Sequence, residues 1–208
     1  MSANKKYEFV PGDTVKTWDG RTLTRIRALV AIGSLVAAGE LGGYIESEAN
    51  LHVYGDAWVY GDAWVYGDAW VYGNACVYGN ACVYGDARVY GNACVYGDAR
   101  VYGDARVYGD ACVYGDARVY GDACVYGDAW VSGDASITWA SNVGSERGTL
   151  TVYHAKNGLL VTRGCFIGSD HEFLAAVAKR HGADSQIGRE YALLIEFARL
   201  RLGKGGAQ

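Results

Sequence analysis

The chain has 208 residues with 30 Gly, one Pro, 17 Tyr and 6 Trp, and a formal net charge of −4. Its aromatic content and near-absence of Pro exclude an ordinary disordered low-complexity chain, so the glycine excess implies turns at short, regular intervals. The charge is uneven: residues 1–50 balance, 51–142 carry four Arg against eleven Asp, and 143–208 carry nine basic against six acidic side chains. An acidic centre lacks the basic footprint of general nucleic-acid binding.

In chain order, the amino terminus Met1-Ser2-Ala3-Asn4-Lys5-Lys6 has no apolar signal-peptide run, and no stretch reads as a membrane span. The expected compartment is the cytoplasm, with the six Cys as free thiols. Tyr7–Val10, Thr14–Trp18 and Arg21–Arg27 alternate as short strands, with Pro11-Gly12-Asp13 and Asp19-Gly20 as turns. Residues 1–52 are thus expected to form a small β cap. Ile45–Asn50 already has six-residue form but stands two residues out of phase with the hexads that begin at Val53, as an incomplete capping coil would.

From Val53 the text repeats Val-(Tyr or Ser)-Gly-(Asp or Asn)-Ala-X every six residues to Ser136, and Ile137–Asn142 keeps the phase with decayed consensus. Those fifteen hexads resemble the hexapeptide-repeat proteins, in which an aliphatic residue is followed four positions later by a small one. The resemblance implies a mainly β fold over 53–142: a left-handed parallel β-helix of triangular section, three hexads per coil. Five coils at the usual strand spacing make a prism about 24 Å long. Alternation along each short strand places Ala57 and Val59 inside and Trp58 and Tyr60 outside. Gly61 and Asp62 turn the corner, Asp by bonding its own neighbouring backbone.

With 18 residues per coil, the sixth-position residues sort into three columns: Trp58, Cys76, Cys94, Cys112, Trp130; Trp64, Cys82, Arg100, Arg118, Ser136; and Trp70, Arg88, Arg106, Cys124, Asn142. Outward Tyr ladders from Tyr54 to Tyr126 run beside them. Stacked identical aromatics stabilise neighbouring strands; a contiguous aromatic exterior also serves an oligomer interface or a ligand surface. Trp58, Trp64, Trp70 and Trp130 are the candidate interface residues. Arg88 with Arg106, and Arg100 with Arg118, flanked by Tyr90 and Tyr102, are the candidate site for a small anion such as a nucleotide, since guanidinium planes stack on aromatics and fork onto phosphates. Against that stands pairing of each Arg with corner Asp residues. Cys76, Cys94 and Cys112 lie one strand apart; their spacing is not that of zinc, they read as packing residues, and no metal or cofactor is expected.

Residues 143–208 read as a ββαα unit that caps the open end of the prism or docks a partner. Thr149–Ala155 and Leu159–Arg163 flank an Asn157-Gly158 turn, Ser169 and Glu172 form a capping box, and a second helix runs from Gln186 to Leu202. Cys165, His171 and His181 are read as structural.

The run Arg25–Leu29, then Leu41–Glu46 feeding the repeat, looks like uncharacterised hexapeptide-repeat proteins of phages and prophages. Arg163–Gly168, with Glu172-Phe173 and His181-Gly182, is similar to their tail domain. That resemblance implies a fold and a viral setting, not an activity. Hexapeptide acyltransferases use a histidine base beside a coil loop, whereas residues 53–142 hold no His and His52 has no excursion near it. The reading is therefore a non-enzymatic, phage-encoded scaffold, homo-oligomeric or bound to a host protein. The alternatives are a counter-defence protein sequestering a host factor or nucleotide signal, and, less favoured, an acyltransferase-like enzyme. No catalytic residue is assigned.

Overall fold

A computed structural model of the chain describes residues 6–133 and 136–203. It is mainly β: a parallel β-solenoid of about five turns, closed at one end by an antiparallel meander and at the other by a small sheet with two helices.

The meander comprises β1 (Tyr7–Lys16), β2 (Thr22–Ala28) and β3 (Leu41–Ile45). The two strands expected within residues 7–18 are one. Pro11-Gly12-Asp13 is a bulge between Phe9 and Thr14, with Gly12 at φ +83°, because the flanking residues pair with the same neighbour, β2. Asp19-Gly20 does make the turn into β2. β3 then runs parallel to the first strand of the second face, Tyr44 beside Trp64 and Ile45 beside Val65.

Thirteen short strands follow, from β4 (Trp58–Val59) to β16 (Trp130–Val131). They stack in three parallel sheets, and each repeat Val from Val59 to Val113 pairs with the Val 18 residues on. Every Val from Val59 to Val131 is fully buried, and the Ala column from Ala57 to Ala129 is at most 1% exposed. At the corners the chain turns through a left-handed glycine. A Cβ on Gly85, at φ +71°, would stand 3.0 Å from the amide nitrogen of Gly103, so neither the angle nor the space admits another residue. The corner amides do more than bond their own backbone: Asn74 donates to Asn92 (3.1 Å), Asn92 to Asp110 (2.9 Å) and Asn80 to Asp98 (3.0 Å). Asn thus interrupts columns that would otherwise stack carboxylate on carboxylate.

The first and last hexads depart from expectation. Leu51 is fully buried opposite Val71, twenty residues on, while Val53 is 41% exposed. The two-residue excess seen at Ile45–Asn50 is absorbed in the corner 52–56, so Val53 is displaced from the core. At the other end, Ile137–Asn142 is no hexad of the solenoid. Trp139 and Ala140 stand where Gly and Asp would turn the chain, so the segment runs straight as β17 (Ile137–Val143) and pairs antiparallel with β18 (Gly148–Ala155). Asn142 is accordingly absent from the third column and sits at φ +62°. β19 (Gly158–Arg163) and β20 (Phe166–Ser169) complete a four-stranded sheet before α1 (Asp170–His181) and α2 (Gln186–Leu202). The tail therefore holds two more strands than expected. Its capping box is present: the Ser169 hydroxyl accepts from the Glu172 amide at 3.2 Å, and Glu172 Oε2 accepts from the Ser169 amide at 2.8 Å.

The two caps follow from backbone polarity. Each coil donates its N–H groups forward, as Trp58 does to Ala75 at 3.0 Å, so the first coil leaves carbonyls open and the last leaves amides. Donors meet the first set. Lys6 Nζ reaches the carbonyls of His52 (3.4 Å), Gly55 (2.9 Å) and Ala57 (2.6 Å), and Asn50 Nδ2 reaches Gly67 and Ala69 at 2.8 and 2.9 Å. The backbone of β3 serves the remaining face, Tyr44 donating to Ala63 at 2.9 Å. Acceptors meet the second set: Thr151 Oγ1 takes the Cys124 amide at 3.1 Å and the Tyr153 hydroxyl takes that of Tyr126 at 3.0 Å. The tail domain does cap the open end.

Candidate functional site

The outward residues form ladders with unequal surroundings. Tyr66, Tyr84, Tyr102 and Tyr120 stack at 5.0, 4.9 and 5.0 Å between ring centroids, with planes within 7° of parallel. Tyr72, Tyr90 and Tyr108 stack at 4.7 Å, and Tyr78, Tyr96 and Tyr114 at 4.8 and 5.0 Å. Most of these rings are half-buried, their faces spent on each other. This supports the cross-strand role and leaves less open aromatic surface than thirteen outward tyrosines would imply.

The four tryptophans separate. Trp58 is fully buried beneath the meander, with Tyr7 edge-on at 6.2 Å, and its indole nitrogen has no partner among the described residues. It cannot serve an interface, because β1 and β2 cover the face that alternation leaves open on a bare solenoid. Trp64 is half-buried and packs with Leu23, Tyr44 and Tyr66. Trp70 and Trp130 remain 36% and 56% exposed.

The four arginines occupy two faces. Arg88 pairs in register with Arg106 on one sheet, beside Tyr90; Arg100 pairs with Arg118 on another, beside Tyr102. They are therefore not one site. The ion pairs of the described residues join Arg21, Arg25, Arg27, Arg180 and Arg199 to carboxylates, and Arg88, Arg100 and Arg106 are in none of them. Arg88 borders an open hollow with Glu48, His52, Asp68 and Trp70. Arg118 borders a cleft of about 390 Å³ that the sequence did not disclose, because Trp139 and Arg201 enter it from β17 and α2. Its walls are Tyr102, Tyr120 and Trp139, the last edge-on to Tyr120 at 4.4 Å.

The cysteines are free. Cys76, Cys94 and Cys112 are half-buried and stand in register on adjacent strands. The Cys76 thiol beside Cys94, with burial and the Cys112 thiol on its other side, raises its value above the ordinary thiol range. The contact from Cys94 pulls Cys76 down to about 7, against the opposing effect of burial and with help from the Tyr60 hydroxyl and the Lys6 charge. Cys82 and Cys124 are pushed up by burial and have no cysteine beside them.

In the tail, Cys165 and His181 line one cleft of about 300 Å³, with Arg163, Arg180, Glu146 and Tyr191. His171 lies apart, its ring 3.5 Å from Arg199. No group of three His, Cys, Asp or Glu side chains among the described residues converges as a metal centre.

α2 buries Tyr191, Ile195, Ala198 and Leu202 against the tail sheet and α1, as its period predicts. It also presents a second apolar stripe: Leu193, Phe197 and Leu200 are 67%, 54% and 65% exposed, at spacing i, i+4, i+7. No helix of the described residues is long and apolar enough to cross a membrane. No curated protein matches the chain. Six overlapping segments, residues 81–97, 87–103, 93–109, 99–115, 111–127 and 117–133, match the family model described as the YdcK beta-solenoid repeat, so the centre of the rod is similar in sequence to that repeat.

Proposed function

We propose that the chain is a non-enzymatic scaffold that assembles with a second copy of itself through α2, the solenoid serving as a rigid spacer between assembled ends. The exposed stripe Leu193, Phe197, Leu200 carries this reading, since a helix facing only water holds charge on such a face. The residues fall on d, a and d of a heptad, which puts Glu196 at g and Arg201 at e. In a parallel pair, g of one helix meets e of its partner five residues on, so Glu196 and Arg201 of two copies are complementary. Ile195 and Leu202, at f, face the chain's own tail sheet, leaving the seam free. A left-handed hexapeptide coil, a phage origin and a place in the host cytoplasm belong to the same reading, supported by the repeat and by the lead-in and tail resemblances. A short seam gives a concentration-dependent dimer. Light scattering behind size exclusion is expected to rise from 22.3 kDa towards twice that value with concentration, and Phe197→Glu to stay monomeric with unchanged circular dichroism. A monomer at every concentration, or a dimer indifferent to Phe197→Glu, sinks the proposal.

A second reading, sequestration of a small aromatic anion, is favoured by the cleft between Arg118, Arg201 and Trp139. A nucleotide there would stack on the rings and fork its phosphates onto the guanidinium groups. ATP without metal is expected to quench tryptophan emission. Arg118→Ala is expected to abolish the quench, whereas Arg88→Ala with Arg106→Ala, on another face, leaves it intact. Quenching that survives Arg118→Ala places the ligand elsewhere.

A further inference from the structure

The column Cys76, Cys94, Cys112 carries chemistry that neither reading uses. Three side chains of one type stand in register on successive parallel strands, so neighbouring thiols are about 4.8 Å apart at the backbone. Each is turned the same way: Cys76 Sγ lies 3.6 Å from the carbonyl oxygen of Asn74, Cys94 Sγ 3.7 Å from that of Asn92, and Cys112 Sγ 4.0 Å from that of Asp110. A straight row cannot surround an ion, which excludes the tetrahedral coordination zinc requires. It suits an ion content with two ligands in line. At a metal–sulfur bond of about 2.3 Å, a linear sulfur–metal–sulfur unit spans about 4.6 Å, close to one strand spacing. Thiolates select soft ions. We propose that Cys76, Cys94 and Cys112 form a linear bis-thiolate site for a soft monovalent cation, Cu(I) or Ag(I), clamped between neighbouring coils.

Cys94 is the shared ligand, able to pair with either neighbour. On binding, each of two thiols releases its proton to solvent and the ion keeps its oxidation state. The resulting unit carries one negative charge, and the Lys6 ammonium group stands at the Cys76 end of the row, bonded to the carbonyl of Ala57 just before the strand that pairs with Cys76. Cys82 lies between Trp64 and Arg100, and Cys124 beside Arg106, so neither can form such a pair.

The test is an anaerobic titration of the reduced full chain with Ag(I) in a Cys165→Ser background, which removes the exposed lone thiol. It is read by native mass spectrometry and by the ultraviolet thiolate-to-metal band. One ion retained against a competing thiol is expected. Cys94→Ser leaves Cys76 and Cys112 two strand spacings apart, about 9.6 Å, too far for one ion to span; its apparent affinity is expected to fall at least about 100-fold, since losing even an outer-shell partner of a metal ligand costs about 10–100-fold. Cys82→Ser is expected to bind as the parent does, and Zn(II) is expected not to displace the silver. Circular dichroism of each serine variant checks that the coils are intact. A parent that retains no silver overturns the proposal. So do a folded Cys94→Ser variant that retains it equally and a Cys82→Ser variant that loses it.

Discussion

Val95→Asp is expected to abolish the cooperative thermal transition of the rod near room temperature, while Arg106→Asp, eleven residues on, shifts the midpoint by only a few degrees. Val95 is fully buried in the middle of a column of valines, paired in register with Val77 before it and Val113 after it. Among the described residues, the core at this level is Val and Ala, whose side chains offer no donor to a carboxylate. An unpaired buried charge costs several kcal/mol, against a total stability of roughly 5–15 kcal/mol for a domain. Removing two buried methyl groups, as in Val95→Ala, costs about 2–3 kcal/mol by comparison. Position in the rod matters as well as burial. In a solenoid each coil touches only its neighbours, so failure at the third coil leaves two fragments, each with one cap and one open end. Arg106 is exposed, and replacing it removes one of two stacked like charges, so the same aspartate there meets water. Circular dichroism melts of the two variants decide the matter. A Val95→Asp protein that melts within a few degrees of the parent would mean that the valine column does not hold the coils together.

The contrast between those positions was legible in the sequence because the period is constant. Val at one position and Ala four later define an interior without reference to anything outside the repeat, and the three columns of sixth residues came out in their observed registers as far as Trp130, Arg118 and Cys124, though not to the expected Ser136 and Asn142. What the period does not encode was misplaced. Trp58 obeys the alternation that turns sixth residues outward, yet it is buried by strands, Tyr7–Lys16 and Thr22–Ala28, that lie far earlier in the chain and have no repeat of their own. Val53 carries the consensus but loses its seat to Leu51, because a two-residue excess upstream has to be absorbed somewhere. The capping side chains Lys6, Asn50, Thr151 and Tyr153 act singly, at the ends, and only the direction of the coil hydrogen bonds explains why donors stand at one end and acceptors at the other. The candidate arginine site was legible as columns but not as surroundings: Arg118 gains Trp139 and Arg201 only once β17 leaves the coil and α2 folds back beside it. The α2 stripe is different. Leu193, Phe197 and Leu200 have a period of their own, and a second apolar face on that helix was readable from the outset.

The tyrosine ladders set the response to alkali. Burial, aided in most cases by the neighbouring ring or thiol, pushes Tyr60, Tyr66 and Tyr78 up to about 12, and Tyr84, Tyr90, Tyr96 and Tyr108 are raised for the same leading reason. The unfolded chain releases these protons near pH 10. Between about pH 10 and 12 the native state thus holds protons that the unfolded state has lost, and linkage makes stability fall as pH rises through that window. Stacking amplifies the fall, since ionising one ring at 5 Å from the next disfavours ionising its neighbour and favours unfolding of the whole ladder. Lys6 acts in the opposite sense at lower pH: burial brings it down to about 8, so deprotonation there relieves a buried charge and stability rises slightly between about 8 and 10.5. The expected result is a rod whose urea midpoint is flat or slightly increasing up to pH 10 and then collapses before pH 12. Tyrosinate absorbance at about 295 nm should appear in one cooperative step together with loss of the β signal in circular dichroism. Tyr96→Phe and Tyr90→Phe, which keep the stacked ring and remove the ionising group, should each move that step to higher pH. Tyrosinate absorbance that grows gradually from pH 10 while the β signal persists would show that the hydroxyls titrate freely in the native rod and that the ladders do not couple ionisation to the fold.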